Sequence, residues 1–202
     1  MAVSKKVFDP QPVTLTGNLV RLEPIALAHA ADLYAAGAEE SIWRYAARPA
    51  LSSVTDAEGW IGACMEDLAA GTRVTFAAVH RETGKAVGST AYIDIVREHR
   101  TLEIGMTWYG TAWQRTGVNT ECKFLLLGHA FEDLAARRVS LKSDSRNERS
   151  RRAILRIGAV EEGTLRNHRI ARDGVDRHTV YYSVIESEWP GVKRRLEGLM
   201  RR

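Results

Sequence analysis

The chain has 202 residues, 45% of them hydrophobic and 27% charged, and its 29 basic and 25 acidic residues leave a net charge of +4. A length of this order favours one domain with a core that needs no disulfides. The composition excludes disordered, collagen-like and coiled-coil proteins. The small positive excess is too weak for a dedicated nucleic-acid-binding protein. We expect a single domain over residues 1–202, with its core over 13–186 and a last helix over 187–202.

Cysteine usage and hydropathy narrow the class further. Cys64 and Cys122 belong to no CxxC or Cys/His cluster, so neither a disulfide framework nor a metal site is expected. No apolar stretch follows Lys5 and Lys6, which argues against a signal peptide. The most apolar run, residues 124–131, is too short to span a bilayer. These features predict a cytoplasmic protein that makes no membrane contact.

The first half of the chain predicts one strand, two helices and then three strands. Apolar residues alternate in the strands and recur at helical spacing in the helices, the second of which stops at Gly71. The three strands form a meander, with a hairpin turn at residues 82–85. In chain order we expect a strand at 19–25, helices at 26–37 and 56–70, and strands at 74–80, 86–95 and 101–108.

The second half begins with the clearest helix, residues 120–135, for which Asn119 is the expected N-cap. After it we expect a strand at 138–144, a helix at 147–157 ended by Gly158, strands at 161–170 and 177–185, and a helix from residue 186 or 187. A crossover helix between strands 101–108 and 138–144 requires these two strands to be parallel. The predicted fold is therefore mixed α/β, a mostly antiparallel sheet with one parallel pair, flanked by helices.

A glycine-containing loop, residues 114–120, joins that strand to the clearest helix. Its backbone N–H groups and the positive end of the helix dipole would suit a phosphate. Gly117 would let the backbone approach such a group, and Arg115 would add a cation. The alternative is a tight turn that only caps a core helix, because such turns are common. The chain has no P-loop, GxGxxG, GxSxG or HExxH motif, which excludes the corresponding nucleotide-binding and hydrolase classes.

Two blocks of the sequence resemble the GNAT superfamily of N-acetyltransferases. Gln114-x-x-Gly117 is similar to motif A of that family, and the block from Asn147 through Ser150 to Gly158 is similar to the family's next motif. The runs Arg-Asn-Glu-Arg-Ser and Gly-x-Asn-Thr-Glu are most similar to the RimJ/RimL-like branch, which acetylates ribosomal proteins. The likeness extends over residues 13–185 and implies the acyl-CoA N-acyltransferase fold.

The resemblance implies acetyl-CoA as co-substrate, with its pyrophosphate at the 114–120 loop and its pantetheine arm along the backbone of residues 106–108. The binding residues so implied are Met106, Thr107, Trp108, Gln114, Arg115, Thr116, Gly117, Val118, Asn119, Thr120, Asn147 and Ser150. Two positions depart from the family pattern. Asn119 stands where Gly or Ala is usual, and Ile154 stands where many relatives have a tyrosine general acid.

Glu103 is the expected catalytic base. The alternation of strand 101–108 puts Leu102, Ile104 and Met106 on one face and Glu103, Gly105 and Thr107 on the other. The resemblance implies that the second face looks toward the acceptor amine, so that Glu103 removes its proton directly or through water. The alternative is a strand glutamate exposed to solvent, with His168 or His178 as the base.

Ser150 is the second catalytic candidate, as the group that donates a hydrogen bond or a proton to the sulfur. It is also the third position of a helix capped by Asn147, which alone would explain it. Trp43 and Tyr45, in a polar connection between helices, are expected to line the acceptor pocket.

The resemblance thus predicts an enzyme that transfers an acetyl group from acetyl-CoA directly to a primary amine, either a protein N-terminal α-amine or a small-molecule amine. A non-catalytic CoA-binding regulatory protein is the alternative, since the family tyrosine is absent. A nucleic-acid-binding module is disfavoured, because the arginine-rich segment 146–156 also has an apolar side. A homodimer is compatible with the sequence, although no apolar stripe predicts one.

Overall fold

The protein is built on one eight-stranded sheet, which a computed structural model describes over residues 7–201. Lys5, Lys6 and Arg202, on which the expectations about a signal peptide and the end of the last helix partly rest, lie outside the described residues. The strands are β1 (Leu15–Thr16), β2 (Val20–Pro24), β3 (Val74–His80), β4 (Ala86–Val96), β5 (Thr101–Tyr109), β6 (Arg138–Asp144), β7 (Val160–Ile170) and β8 (Asp176–Ile185). Their spatial order is β1-β2-β3-β4-β5-β6-β8-β7, and only β5 and β6 are parallel neighbours.

Helices cover both faces of this sheet. They are α1 (Ala30–Gly37), α2 (Val54–Ala69), α3 (Val118–Gly128), α4 (Glu148–Arg156) and α5 (Trp189–Met200). Side chains alternate along β3, so that Phe76 and Ala78 enter one core while Ala77 and Val79 enter the other. The larger core receives side chains from α3, α4 and α5, and the smaller one receives those of α1 and α2. No helix among residues 7–201 is long and apolar enough to cross a membrane.

The predicted mixed sheet with a single parallel pair is confirmed, and β3 and β6 have the predicted bounds. The prediction of Asn119 as an N-cap is wrong, because α3 already begins at Val118 and Gly117 occupies the cap without a side-chain hydrogen bond. The helix is also shorter than predicted, since it changes to a π-helical turn at His129–Asp133. Strand β1 was not predicted, because two residues show no periodicity.

A bulge at Met106 divides β5 into two parts. Between the pairs 105↔91 and 108↔89, β5 has one residue more than β4, and Met106 has a left-handed φ of 54°. Met106 is 51% exposed whereas Leu102 and Ile104 are buried, so the prediction that the three share a face is wrong. Thr107 instead faces α3, where its Oγ1 lies 2.9 Å from Lys123 Nζ. The extra residue reverses the alternation from that point on.

Candidate active site

A cavity of about 660 Å³ opens where β5 and β6 separate. The two strands pair only over residues 101–103 of β5 and 138–140 of β6, although β5 continues to Tyr109 and β6 to Asp144. Beyond the paired part, the cavity is lined by β5, β6, the loop before α3, the first turns of α3, and α4. A size of this order is typical of sites for small ligands and cofactors.

The cavity wall is strongly positive. Its lining residues include six cations and no carboxylate: Arg115, Lys123, Lys142, Arg149, Arg152 and Arg156. Within the described chain, only Lys142 and Arg152 of these have a carboxylate oxygen within 4.0 Å. A concave surface with one sign of charge concentrates ligands of the opposite sign. The cavity is therefore suited to a ligand with several negative charges.

Three of the other four cations donate a hydrogen bond to a neutral group. The guanidinium of Arg149 donates to the side-chain carbonyl of Gln114. Arg156 Nη2 donates to Thr120 Oγ1 over 2.7 Å, and Lys123 Nζ donates to the Thr107 hydroxyl. These bonds orient the side chains without cancelling their charge.

The loop before α3 is held by its own hydrogen bonds. Gln114 Nε2 donates to the carbonyl of Tyr109 over 2.9 Å, and Thr116 Oγ1 donates to the carbonyl of Trp113 over 2.7 Å. Arg115 has a left-handed φ of 63°. A Cβ at Gly117 would lie 2.7 Å from Leu19 Cδ1, the end of an exposed side chain that could shift to make room for it.

Most of the expected site residues meet in this cavity, but several of them do not line it. The lining includes Met106, Thr107, Trp108, Gln114, Arg115, Thr116, Asn119, Asn147 and Ser150, and it omits Gly117, Val118, Thr120, Glu103, Trp43 and Tyr45. Val118 belongs to the larger core, and Thr120 lies behind the cavity wall as the acceptor of Arg156.

Asn147 and Ser150 form the cap of α4 and also lie at the cavity. Asn147 Oδ1 accepts a hydrogen bond from the backbone N of Ser150 over 3.1 Å, which makes Asn147 the N-cap of α4. Both residues also line the cavity. Capping therefore fixes the backbone of Ser150 beside the cavity.

Glu103 is buried behind the wall rather than exposed on the strand. It is 2% exposed, and its Oε2 lies 2.9 Å from Nζ of Lys142, which also lies 3.3 Å from Asp94 Oδ2. Burial raises the pKa of Glu103 above its ordinary value, although the hydrogen bond and charge of Lys142 act against that rise. Lys142 itself lines the cavity, so it connects Glu103 to the site.

The two aromatic candidates differ in their surroundings. Trp43 is 2% exposed, donates through Nε1 to the carbonyl of Gly37 over 2.7 Å and packs 4.9 Å from the Trp108 ring. It is therefore a core residue. Tyr45 is half-buried, with the Arg146 guanidinium 5.7 Å from its ring centre and its carbonyl 3.4 Å from Arg177 Nη1.

Neither histidine candidate lies on the cavity wall. His168 Nδ1 lies 3.0 Å from Thr179 Oγ1, and His178 Nδ1 accepts from the backbone N of Asn167 over 2.9 Å. Both bonds join β7 to β8, the last two strands of the sheet order. No cluster of metal-ligating side chains is found among residues 7–201.

Sequence reasoning missed most of the cavity cations. Arg149, Arg152 and Arg156 recur at intervals of three and four residues and so share one face of α4. That spacing is visible in the sequence and would have found them. Lys123 and Lys142 give no such signal, because only the fold brings them to the gap between β5 and β6.

Comparison with known proteins decides the family. The model of the acetyltransferase (GNAT) domain matches residues 20–160, which include β5, the loop, α3 and α4. The chain belongs to the GNAT acetyltransferase family. The resemblance inferred from its two motifs is thereby confirmed, and acetyltransferase is the enzyme class of the family.

Individual GNAT relatives are similar over different lengths. YdaF of Bacillus subtilis (strain 168), provisionally named a ribosomal N-acetyltransferase, is 33% identical over 110 residues. That match covers 54% of this chain and 59% of YdaF, so the chain spans less than two thirds of that relative. The crystal structure of an acetyltransferase, provisionally so named, from T. thermophilus is 37% identical, with a TM-score of 0.84, covering 95% of this chain and 98% of that one.

A third comparison concerns the fold alone. The structure of Mycobacterium smegmatis RimJ in complex with CoA-disulfide has a TM-score of 0.82 to this chain at 20% identity. The match covers 94% of this chain and 96% of RimJ. The whole arrangement of sheet and helices is thus common to both proteins.

Proposed function

We propose that this chain binds acetyl-CoA in the cavity between β5 and β6 and transfers the acetyl group to a primary amine. The observation that carries the proposal is the set of six cations, with no carboxylate, lining that cavity beside the start of α3. Coenzyme A carries a pyrophosphate and a further phosphate on its ribose, and clustered arginines bind such groups well. The RimJ complex with a CoA disulfide supports the same ligand class.

The loop and the open strand provide complementary parts of the donor site. Arg115 and the backbone of residues 114–120 would hold the pyrophosphate at the N-terminus of α3. From residue 104 onward β5 has no hydrogen-bonded partner on its β6 side, so its free backbone groups can pair with the amides of the pantetheine arm. Asn147 and Ser150 then lie along the opposite wall of the cavity.

The transfer itself is an attack of the amine nitrogen on the thioester carbonyl. A C–N bond forms, the C–S bond breaks, and the amine loses a proton while the thiolate gains one. Glu103, whose pKa burial raises, would accept the amine proton through water. Ser150 would donate a hydrogen bond to the sulfur, because position 154 is isoleucine and provides no phenol. Holding the two substrates together would contribute most of the rate.

The acceptor would approach near Tyr45 and the β7–β8 hairpin. Arg177 of β8 reaches the carbonyl of Tyr45, and Arg172 of the hairpin turn binds Glu40 and the carbonyl of Arg48. YdaF is named a ribosomal N-acetyltransferase, which favours a protein amine as acceptor, and of these we propose the N-terminal α-amine. A small-molecule amine is the other acceptor class we propose.

Calorimetric titration with acetyl-CoA tests the donor site. The wild-type chain should bind with a micromolar Kd, and Arg115→Glu should weaken binding by about 100-fold, since it removes one phosphate partner and adds a repulsive charge. Arg194→Glu, the same charge change at an exposed position of α5, is the matched control and should bind as the wild type does. Absence of binding by the folded wild type would overturn the proposal.

Measurement of turnover separates an enzyme from a CoA-binding regulatory protein. The regulatory alternative rests on two observations: position 154 is not a tyrosine, and Glu103 lies behind the cavity wall. Candidate N-terminal peptides and small amines would be screened by release of free thiol. For an amine that reacts, Glu103→Gln should lower kcat by about 100-fold while the Kd of acetyl-CoA stays within twofold. Binding without release for every amine class would favour the regulatory protein.

A further inference from the structure

One buried cation of the cavity has no carboxylate in contact with it among residues 7–201. Lys123 lies in the second turn of α3 and is only 5% exposed, yet it lines the cavity. Its Nζ donates to Thr107 Oγ1 over 2.9 Å, and that oxygen lies 2.8 Å from Thr90 Oγ1. Among residues 7–201, no carboxylate oxygen lies within 4.0 Å of Nζ, and the only hydrogen bond is to a neutral hydroxyl.

Such an arrangement is costly for the protein alone. A buried ammonium needs a charged partner or several acceptors to offset its loss of hydration. Burial accordingly lowers the pKa of Lys123 to about 8, even though Cys122 on its own helix and Glu103 of β5 both act to raise it. At a pH near this pKa, the Lys123 side chain is an uncharged amine in about half of the molecules.

The other charged groups around the cavity do not relieve this cost. From α4, the cavity receives Arg149, Arg152 and Arg156, and from β6 it receives Lys142. All of these are cations and disfavour a further positive charge. Since no described carboxylate contacts Lys123, a molecule bound in the cavity could supply its negative partner.

The position of Lys123 indicates which part of a bound acyl donor would reach its Nζ. Thr107, the present partner of Nζ, belongs to the β5 stretch after the bulge, whose edge faces away from β4 and is unpaired with β6. Asn119, one turn before Lys123 on α3, lines the same wall next to the phosphate loop. Lys123 thus lies between the loop that would hold the phosphates and the strand that would hold the pantetheine arm.

We propose that Lys123 contacts the bound acyl donor through Nζ and takes up a proton from solvent as the donor binds. The proposal rests on the proposed function, because it requires acetyl-CoA in this cavity. The negative phosphates and a carbonyl oxygen of the pantetheine arm supply the counter-charge and acceptor that residues 7–201 do not provide. Binding and protonation of Lys123 then favour each other by linkage.

Calorimetry in paired buffers measures this proton directly. Acetyl-CoA is titrated at pH 8 in two buffers with different heats of ionisation, and the difference in binding heat gives the number of protons exchanged. Acetyl-CoA has no thiol, and its phosphates are already ionised at this pH, since the second pKa of a phosphate is about 6. The wild type should take up about half a proton, and less at pH 7, where Lys123 is already mostly charged.

Two substitutions identify the titrating group. Lys123→Met removes the charge and should lose the proton uptake together with about tenfold in affinity. Lys123→Arg keeps a charge that does not titrate near pH 8, so it should lose the uptake while its Kd stays within about threefold of the wild type. Lys85→Met, in the exposed β3–β4 turn, is the control and should change neither quantity.

The outcomes separate this proposal from the proposed function. If the wild type binds no acetyl-CoA, the donor site itself is wrong. If the wild type binds and both Lys123 variants take up as many protons as it does, the donor site stands and the role of Lys123 is overturned. Thermal melting of each variant without ligand establishes that the chain is folded, so a loss of binding can be assigned to the site.

Discussion

Helix α3 carries two buried charges, one on each side, and they differ in the partners that the protein provides. On one side of α3, Glu121 is 4% exposed and its carboxylate accepts three backbone N–H groups, from Asn18, Leu19 and Val20, over 2.7–2.8 Å. On the other side, Lys123 is equally buried but has only a hydroxyl as partner. The protein itself satisfies the first charge, which fixes the chain before β2, and leaves the second to be satisfied by a ligand.

Removing the carboxylate of Glu121 should have the largest effect on the stability of the protein. Glu121→Ala leaves three backbone donors without their acceptor and opens space beside Gly17, where an added Cβ would lie 2.5 Å from the carboxyl carbon of Glu121. We expect the free energy of unfolding to fall by about 4 kcal/mol, as is typical when a buried charge is removed and its hydrogen-bond partners are left unpaired. Denaturant unfolding measures this loss.

Glu66→Ala, at an exposed position of α2, is the matched control for that change and should stay within about 0.5 kcal/mol of the wild type. A loss at position 121 no larger than the control's would show that the three hydrogen bonds contribute nothing to the fold.

Removing the unsatisfied charge should have the opposite sign. Without ligand, Lys123→Met should raise the free energy of unfolding at pH 7 by about 2 kcal/mol, since an apolar side chain avoids the cost of burying an ammonium. The pKa of Lys123 is about 8 in the folded protein and about 10.4 in an unfolded chain. Between these values the unfolded chain binds more protons, so the stability of the wild type rises with pH.

The advantage of Lys123→Met should therefore shrink from pH 8 upward and disappear near pH 10.5, close to the ordinary lysine pKa. Parallel denaturant curves of the two proteins at pH 7, 8.5 and 10 measure this difference. A constant difference across the range would contradict the lowered pKa of Lys123.

A third buried charge sharpens the comparison, because a side chain of opposite sign satisfies it. Asp144 accepts from Arg146 Nη2 over 2.8 Å and from its backbone N over 2.9 Å. Burial would raise the pKa of Asp144, but these hydrogen bonds outweigh it and hold the pKa below the ordinary value. The pair therefore stabilises the fold fully above about pH 5, and this contribution is lost as the pH falls through the ordinary value of about 3.9 and below.

Asp144→Asn should lower the free energy of unfolding by about 1 kcal/mol at pH 7, a modest amount because solvent partly screens Arg146. The difference from the wild type should narrow between pH 5 and pH 3, as followed by denaturant unfolding across that range. If the difference in free energy of unfolding grew as the pH fell, the ionised Asp144 would not stabilise the fold.

The sequence predicts repetitive structure well and long-range pairing poorly in this protein. The alternation in β3 and the helical spacing in α2 are local, so both elements were found within two residues of their ends. The two motifs were sufficient to identify the family. The bulge at Met106 was missed because a left-handed methionine has no local signature, and the error moved Thr107 to the wrong face.

Long-range contacts explain the remaining differences at the site. Glu103 was expected to be open to an acceptor, but Lys142 of β6 pairs with it and buries it. Trp43 was expected in the pocket, but its indole bonds the carbonyl of Gly37 within the core. Glu121 lies in the first turn of α3, where an acidic side chain suits the helix dipole, but its partners lie about a hundred residues earlier in the chain, a separation that no spacing rule covers.

The short pairing between β5 and β6 has a mechanical consequence. The sheet consists of two antiparallel halves, β1 to β5 and β6 to β7, and only the pairs Thr101↔Arg138, Leu102↔Val139 and Glu103↔Ser140 join them. Within the described sheet this short pairing is the only strand contact between the two halves, and the cavity opens at its end. A molecule bound in the cavity would contact β5 on one side and β6 and α4 on the other. It would therefore hold the two halves together. The backbone amides of β5 and β6 should exchange with solvent more slowly once it is bound.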